Sequence, residues 1–90
     1  MKIEKTANAG SLESSDAMVT VGPHPGGIEI AVTSPVDRQF GDRMRRTARD
    51  ILAGKGIMEG LIRIDDRGAL DCTLRARLET AIERGTTPRG

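Results

Sequence analysis

Aromatic and sulfur side chains are scarce in this sequence of 90 residues, and their scarcity excludes several kinds of site. The chain has one Phe, no Trp, no Tyr, one Cys and one His. A single Cys cannot form an internal disulfide, and one Cys with one His cannot complete a four-ligand zinc site. We therefore expect no metal centre. The core should be built from Ile, Leu, Val, Ala and Met, with Met18, Met44 and Met58 among its members.

Long hydrophobic runs and an excess of charge of one sign are also missing. No apolar stretch approaches the ~20 residues of a membrane span, and residues 1–5 lack the apolar run of a signal peptide. The formal net charge is +1, so no overall field attracts the chain to nucleic acid or anionic lipid. Hydrophobic residues make up 37% and charged residues 30%, the balance of a folded domain. These features predict a cytoplasmic chain with neither a membrane segment nor bound nucleic acid.

Segments rich in β-branched and alternating residues predict the strands. Residues 17–21 and 28–33 are predicted to form two strands that pair as a hairpin across a loop rich in Gly and Pro. A third strand is predicted at residues 61–64, closed by a turn at residues 65–68. The pattern also allows an extra short strand before Ser14. The sequence thus predicts a sheet of three to four strands.

Two amphipathic helices complete the predicted elements. Ser34 is a favoured N-cap and Pro35 a favoured first helical residue, and the first helix should end at Gly54. The second helix should stop near Gly85. Apolar residues recur at spacings of three and four in both, which predicts one buried stripe on each helix. The first stripe would comprise Val36, Phe40, Met44, Ala48, Ile51 and Leu52, and the second Leu70, Leu74, Leu78, Ala81 and Ile82.

These elements predict the fold class, an α/β (α+β) two-layer sandwich. A small mixed sheet would form one layer and the two helices the other, with the order β-β-α-β-α. Residues 1–85 are expected to form a single domain, because a chain of this length cannot bury two cores. Residues 86–90 are expected to form a flexible C-terminal tail.

No catalytic set can be assembled from the residues that carry chemistry. His24 lies between two prolines in a loop, where we expect it to be solvated. Cys72 lies beside the apolar stripe of the second helix, which favours a half-buried structural thiol. Asp65 and Asp66 precede Arg67 and a glycine, so they are interpreted as a turn and helix cap rather than as an acid–base pair or metal ligands. The sequence therefore predicts a protein that is not an enzyme by itself.

Arginines crowd the solvent side of the first helix, at positions 38, 43, 45, 46 and 49. One interpretation is a solvated surface balanced by carboxylates at neighbouring helical positions. The other is a docking surface for phosphate groups or for a protein partner. The sequence leaves both open. Binding of RNA is disfavoured, because aromatic side chains for base stacking are almost absent.

Two stretches of the sequence are informative through their order of residues and not only through their composition. Residues 9–19 read AGSLESSDAMV and residues 65–79 read DDRGALDCTLRARLE, and between them residues 39–42 read QFGD. Together they closely resemble the acyl carrier proteins, or gamma subunits, of citrate lyase. The likeness runs from Met1 to about Arg84. The block in residues 65–79 is the most specific part, because no general rule of helix formation demands that order of residues.

The resemblance implies a definite role for one serine. Ser14 would carry 2′-(5″-triphosphoribosyl)-3′-dephospho-coenzyme A through a phosphodiester, making residues 1–85 an acyl-carrier domain. The terminal thiol of this group would hold the acyl unit, while the citrate lyase alpha and beta subunits perform acyl exchange and cleavage. A separate transferase would attach the group. The family pattern has glycine where this chain has Ser15, so Ser15 is the alternative attachment position.

Two other functions remain as alternatives at this stage. The carrier subunit of malonate decarboxylase uses a similar group on a related small domain. A small arginine-rich adaptor that binds RNA or protein is the alternative from a different class. From the residues alone, Ser14 and Ser15 indicate no more than a hairpin turn.

Overall fold

The computed structural model describes residues 1–34 and 38–86, without the side chains of Arg38 and Gln39. It confirms the predicted two-layer α+β fold. The short strand before Ser14 is present and adds one element to the front of the predicted order. The elements are β1 (Ala7–Gly10), β2 (Ala17–Gly22), β3 (Ile28–Thr33), α1 (Arg38–Gly54), β4 (Gly60–Asp66) and α2 (Asp71–Thr86).

The four strands form one mixed sheet in the order β1-β2-β4-β3. β2 is antiparallel to both β1 and β4, and β3 is parallel to β4, with Val19 opposite Ile64 and Ile30 opposite Ile62. The predicted hairpin between β2 and β3 is therefore wrong. β2 and β4 take the two interior positions, and their inward side chains, including Val19 and Ile64, are fully buried, whereas those of the edge strand β3 are only half-buried. A parallel neighbour for β3 is what a strand–helix–strand connection through α1 provides.

The two helices cover one face of the sheet. α2 packs against β1 and β2, and α1 packs against β3 and α2. The predicted stripes are confirmed over most of their length. Among their members that the structure describes, the buried side chains are Met44, Ala48, Ile51, Leu52, Leu74, Leu78, Ala81 and Ile82.

Three predicted core residues are exposed instead. Phe40 is 46% exposed, Leu70 is 70% exposed and Met58 is 74% exposed. Phe40 lies in the first turn of α1 and Leu70 just before α2, so both helical stripes continue past the part of each helix that the sheet covers. Met58 lies in the connection from α1 to β4. Val36 and the predicted helix start at Pro35 lie outside the described residues.

The predicted turn at residues 65–68 begins later than expected, because Asp65 and Asp66 belong to β4. Asp66 is 2% exposed and accepts hydrogen bonds from the Ser34 hydroxyl and the Ala69 backbone N–H, both at 3.0 Å. The bond from Ala69 closes the turn that follows β4, as the sequence predicted, but Ala69 precedes α2, which begins at Asp71, so this bond does not cap the helix. A buried carboxylate with two donors satisfies the rule that buried polar groups are hydrogen-bonded.

Residues 1–5 contribute one side chain to the core, although their pattern gave no sign of it. Ile3 is fully buried, and its N–H donates to the Glu59 carbonyl at 2.9 Å. The N–H groups of Glu4 and Lys5 both donate to the carbonyl of Gly85. α2 passes through Gly85 to Thr86, so the helix includes the first residue of the expected tail; residues 87–90 lie outside the described residues. None of the described helices has the length and apolar character that a membrane crossing requires.

Candidate functional site

The candidate site is the loop of residues 11–16, which joins β1 to β2 and carries both candidate serines; we call it the Ser14 loop. It begins after Gly10, which has a φ of +97°. A Cβ at this position would overlap the carbonyl of Ala17, so only glycine fits there. β1 and β2 therefore form a hairpin, and Ser14 lies at the tip of the loop that joins them.

Asp16 organises the loop through its two carboxylate oxygens. The Ser11 hydroxyl donates to Oδ2 at 2.7 Å and the Ala17 N–H donates to Oδ1 at 2.7 Å. Arg77 of α2 adds two further bonds, from Nε to Oδ1 at 3.0 Å and from Nη2 to Oδ2 at 3.2 Å. The bonds from Arg77, then those from Ser11 and Ala17, hold the pKa of the Asp16 carboxyl well below its usual range. Asp16 is therefore ionised at neutral pH and fixes both ends of the loop.

Backbone hydrogen bonds join the Ser14 loop to the turn after β4. The Ser15 N–H donates to the Arg67 carbonyl at 2.8 Å, and the Arg67 N–H donates to the Asp16 carbonyl at 2.9 Å. Within the loop, the Asp16 N–H donates to the Glu13 carbonyl at 3.2 Å. These bonds extend the pairing of β2 with β4 beyond the strands, so the loop has a defined position relative to the start of α2.

Ser14 and Ser15 are both exposed, but their backbones differ. Ser15 has a φ of +66°, the left-handed conformation that glycine adopts without strain. Its N–H is also committed to Arg67, so Ser15 supports the turn. Within the described part of the chain the Ser14 hydroxyl has no hydrogen-bond partner. Ser14 can therefore present its hydroxyl to an incoming reagent without breaking any contact of the loop.

The end of the molecule that carries Ser14 also exposes apolar side chains. β2 begins there and β3 and β4 end there, since Ala17 lies opposite Asp66 and Thr33 opposite Asp65. Among the described residues, Leu12, Phe40 and Leu70 are large apolar side chains that are exposed at this end. Arg43 and Arg46 line one cavity together with Phe40, and Arg43 Nη2 lies 3.2 Å from Asp71 Oδ2 at the start of α2.

The other residues considered from the sequence lie apart from the site or have simple roles. His24 follows β2 at the opposite end of the sheet; it is half-buried, and its Nδ1 lies 3.2 Å from the Gly27 carbonyl. Cys72 is exposed, so the prediction of a half-buried thiol is wrong, because α2 turns this position away from the sheet. In residues 1–34 and 38–86, no group of three or more His, Cys, Asp or Glu side chains could hold a metal ion.

Comparison with known proteins identifies the family. The family described as "ACP: Malonate decarboxylase delta subunit (MdcD)" matches residues 4–85. The citrate lyase acyl carrier protein of Cronobacter sakazakii is 51% identical over 84 residues, which cover 93% of this chain and 87% of the relative. The chain belongs to the citrate lyase acyl carrier protein family.

Two further members of this family show the same extent of similarity. The citrate lyase acyl carrier protein of Rhodopseudomonas palustris is 50% identical over 93% of this chain and 87% of its own length. That of Halothermothrix orenii is 44% identical over 96% of this chain and 92% of its own length. No solved structure matches the chain. The resemblance seen in the sequence is therefore confirmed, and this chain is an acyl carrier subunit by family.

Sequence reasoning missed the anchoring of the Ser14 loop by Arg77. Asp16 and Arg77 are 61 residues apart, and no local pattern connects them. Arg77 lies within the LRARLE run that carried the family resemblance, which was the one available signal. The run marked the segment as specific without saying which residue it contacts.

Proposed function

We propose that the chain is the acyl carrier subunit of citrate lyase and that Ser14 is the residue that carries its prosthetic group. The group would be 2′-(5″-triphosphoribosyl)-3′-dephospho-coenzyme A, joined to the Ser14 Oγ through a phosphodiester. The observation that carries the proposal is the geometry of Ser14. Its hydroxyl is exposed and unbonded within the described residues, at the tip of a loop that Asp16 and Arg67 hold on both sides.

The residues of the loop suit a large covalent group. Glycine at position 10 lets the chain reverse tightly, and the Asp16 contacts involve no atom of Ser14. A group on Ser14 can therefore extend into solvent while its anchor keeps one position. When attached, the group supplies a terminal thiol that bears the acyl unit, so the polypeptide needs no catalytic side chain of its own. The tether holds the acyl unit at an effective concentration on the order of 1 mM near the partner sites.

The proposal implies specific partners and a location. The citrate lyase alpha and beta subunits would receive the acyl unit in turn, and a prosthetic-group transferase would modify Ser14. The chain would work in the cytoplasm and would be a carrier rather than an enzyme. The names of the relatives support association with citrate lyase.

The experiment that tests the proposal is an intact mass of the chain after coexpression with its transferase, followed by peptide mapping across residues 9–21. We expect a mass increase equal to the prosthetic group, located on Ser14. Ser14→Ala should abolish the increase and Ser15→Ala should keep it, while the two variants share the same fold. An increase on Ser15 would preserve the carrier function and overturn the assigned residue. No increase in the presence of active transferase would overturn the carrier function itself.

A second candidate is the carrier subunit of malonate decarboxylase, which the description of the matched family favours. Both candidates predict the same modified serine, so the mass experiment does not separate them. Reconstitution with the partner subunits separates the two candidates. The loaded chain should restore citrate cleavage to citrate lyase alpha and beta subunits and should not restore malonate decarboxylation to the decarboxylase subunits. The opposite result would assign the chain to malonate decarboxylase.

A further inference from the structure

A groove lies along the N-terminal turns of α1, beside the exposed ring of Phe40, and continues to the start of α2. One part has a volume of about 270 Å³ and is lined by Phe40, Asp42, Arg43 and Arg46. We call it the arginine half. The adjoining part, the apolar half, has a volume of about 220 Å³. It shares Phe40 and Arg43, and it adds Met44, Leu70 and Leu74 among its lining residues.

The groove opens at the same end of the molecule as Ser14. The β4–α2 turn that holds Leu70 is joined to the Ser14 loop by the Ser15–Arg67 hydrogen bond. β4 alone separates β2 from β3 in the sheet. Adjacent strands are ~5 Å apart, so the strand that follows Ser14 and the strand that leads to α1 are separated by about 10 Å. A flexible group that starts at Ser14 can therefore reach the groove along the edge of the sheet.

The groove changes from charged in the arginine half to mainly apolar in the other half. The group proposed on Ser14 changes in the same way, from its phosphates to its aliphatic portion. Guanidinium groups bind phosphate oxygens through charge-assisted hydrogen bonds, and an exposed Phe ring offers a flat apolar face to a base. The apolar half offers mainly aliphatic surface, from Met44, Ala69, Leu70 and Leu74, with Thr47 and Asp71 as its further polar residues. A ligand that is polyanionic and aromatic at one end and aliphatic at the other matches this order of surfaces.

We propose that this groove is a resting site for the prosthetic arm on Ser14. The nucleotide phosphates contact Arg43 and Arg46, and the aliphatic, acyl-bearing portion lies against Leu70 and Leu74. The inference rests on the proposed function, because it requires the arm to be attached. It assigns a role to Arg43 and Arg46, two of the α1 arginines that the sequence left as either a solvated surface or a docking surface.

The contacts of the groove indicate weak, reversible binding. Arg43 is paired with Asp71 at 3.2 Å, but both side chains are mostly exposed, and exposed pairs of this kind are easily exchanged for another anion. Asp42, which pairs with Arg45 at 3.3 Å, adds a negative charge to the arginine half. Free ligand should therefore bind with a Kd on the order of 1 mM, comparable to the effective concentration of a tethered arm. The arm would then be docked for part of the time and free to leave for a partner subunit.

The first test titrates the unmodified chain with dephospho-coenzyme A, followed by NMR of the backbone amides. We expect shift changes at Phe40, Arg43 and Leu70. Arg46→Gln should raise the Kd about tenfold, because it removes a charged donor. Arg49→Gln is the matched control, since Arg49 is an exposed arginine of the same helix that does not line the groove. Asp71→Asn should lower the Kd a few-fold, because it releases Arg43.

The second test compares the spectra of the loaded and unmodified chains. Changes at Phe40 and Leu70 that Arg46→Gln weakens and Arg49→Gln leaves unaltered would support the resting site. If the spectral changes of the loaded chain are confined to residues 11–16, the resting site is overturned and the proposed function is left intact. A chain that gains no mass with active transferase would overturn both. Equal affinities of the Arg46 and Arg49 variants for dephospho-coenzyme A would also overturn the resting site.

Discussion

Arg77 of α2 donates two hydrogen bonds to Asp16 of the Ser14 loop, from Nε to Oδ1 at 3.0 Å and from Nη2 to Oδ2 at 3.2 Å. The paired geometry fixes the orientation of the carboxylate as well as its distance. It joins the helix layer to the tip of the β1–β2 hairpin. Because Asp16 also accepts from Ser11 and Ala17, one side chain of α2 sets the position of the whole loop.

Replacing Arg77 should slow modification of Ser14 more than it disturbs the fold. Arg77→Gln removes the charged pair, so the Ser14 hydroxyl is no longer held in one position relative to α2. We expect the rate of attachment by the transferase to fall about tenfold, since small displacements of a reacting group are costly. The measurement is the initial rate of mass increase. Arg75 is an exposed arginine of the same helix, so Arg75→Gln is the matched control and its Ser14 should be modified at the rate of the natural chain. Equal rates for the two variants would contradict the role of Arg77.

The same pair should make stability depend on pH in the acidic range. The folded state holds the pKa of Asp16 well below its ordinary value of 3.8. The contribution of Asp16 is therefore fully present above pH 3.8 and is lost as the pH falls through the pKa of the folded state. Urea unfolding between pH 6 and pH 2 should show a steeper loss of stability in the natural chain than in Asp16→Asn. Parallel curves for the two proteins would show that Asp16 contributes no pH dependence.

The sequence predicted those parts of the fold that depend on local periodicity. Leu78 and Ile82 lie on one helical face and are buried, as a spacing of four requires. Phe40 and Leu70 continue the same periodicities and are exposed, because periodicity states which side of a helix is apolar and not how far the sheet extends beneath it. The pairing of β2 with β4 was missed because it joins distant segments and depends on which strands occupy the two interior positions of the sheet.

The candidate site was predicted through the resemblance and explained only by the structure. The likeness singled out Ser14, and the structure adds that Ser15, where the family pattern has glycine, has a φ of +66°. Nothing in the chain near Ser14 could indicate that Arg77 would contact Asp16. That contact follows from the packing of α2 against β1 and β2, a property of the whole fold.

Ser15→Gly should stabilise the chain without affecting the attachment site. Glycine adopts the left-handed conformation of position 15 freely, whereas serine is strained there. We expect the free energy of unfolding to rise by about 1 kcal/mol, measured by urea denaturation at neutral pH. Because Ser14 remains, the variant should still gain the full mass of the prosthetic group. A variant that is more stable but unmodified would move the assignment to Ser15, and a loss of stability would contradict the strain.

Gly85→Ala should destabilise the chain, although alanine is the better helix former. A Cβ on Gly85 would lie 2.7 Å from Val21 Cγ2 and 3.0 Å from Ile3 Cγ2, so α2 would have to move away from the sheet and from residues 1–5. We expect a loss of about 2 kcal/mol in the free energy of unfolding, typical of an overpacked core. Gly54→Ala is the matched control: apart from its chain neighbours and the backbone of its own helix, no atom of the described residues lies within 4 Å of its added Cβ. It should gain ~0.5 kcal/mol by restricting the unfolded chain. Urea denaturation of both variants measures the difference. If both substitutions changed the free energy of unfolding in the same direction, α2 would not pack against β2 as closely as the structure shows.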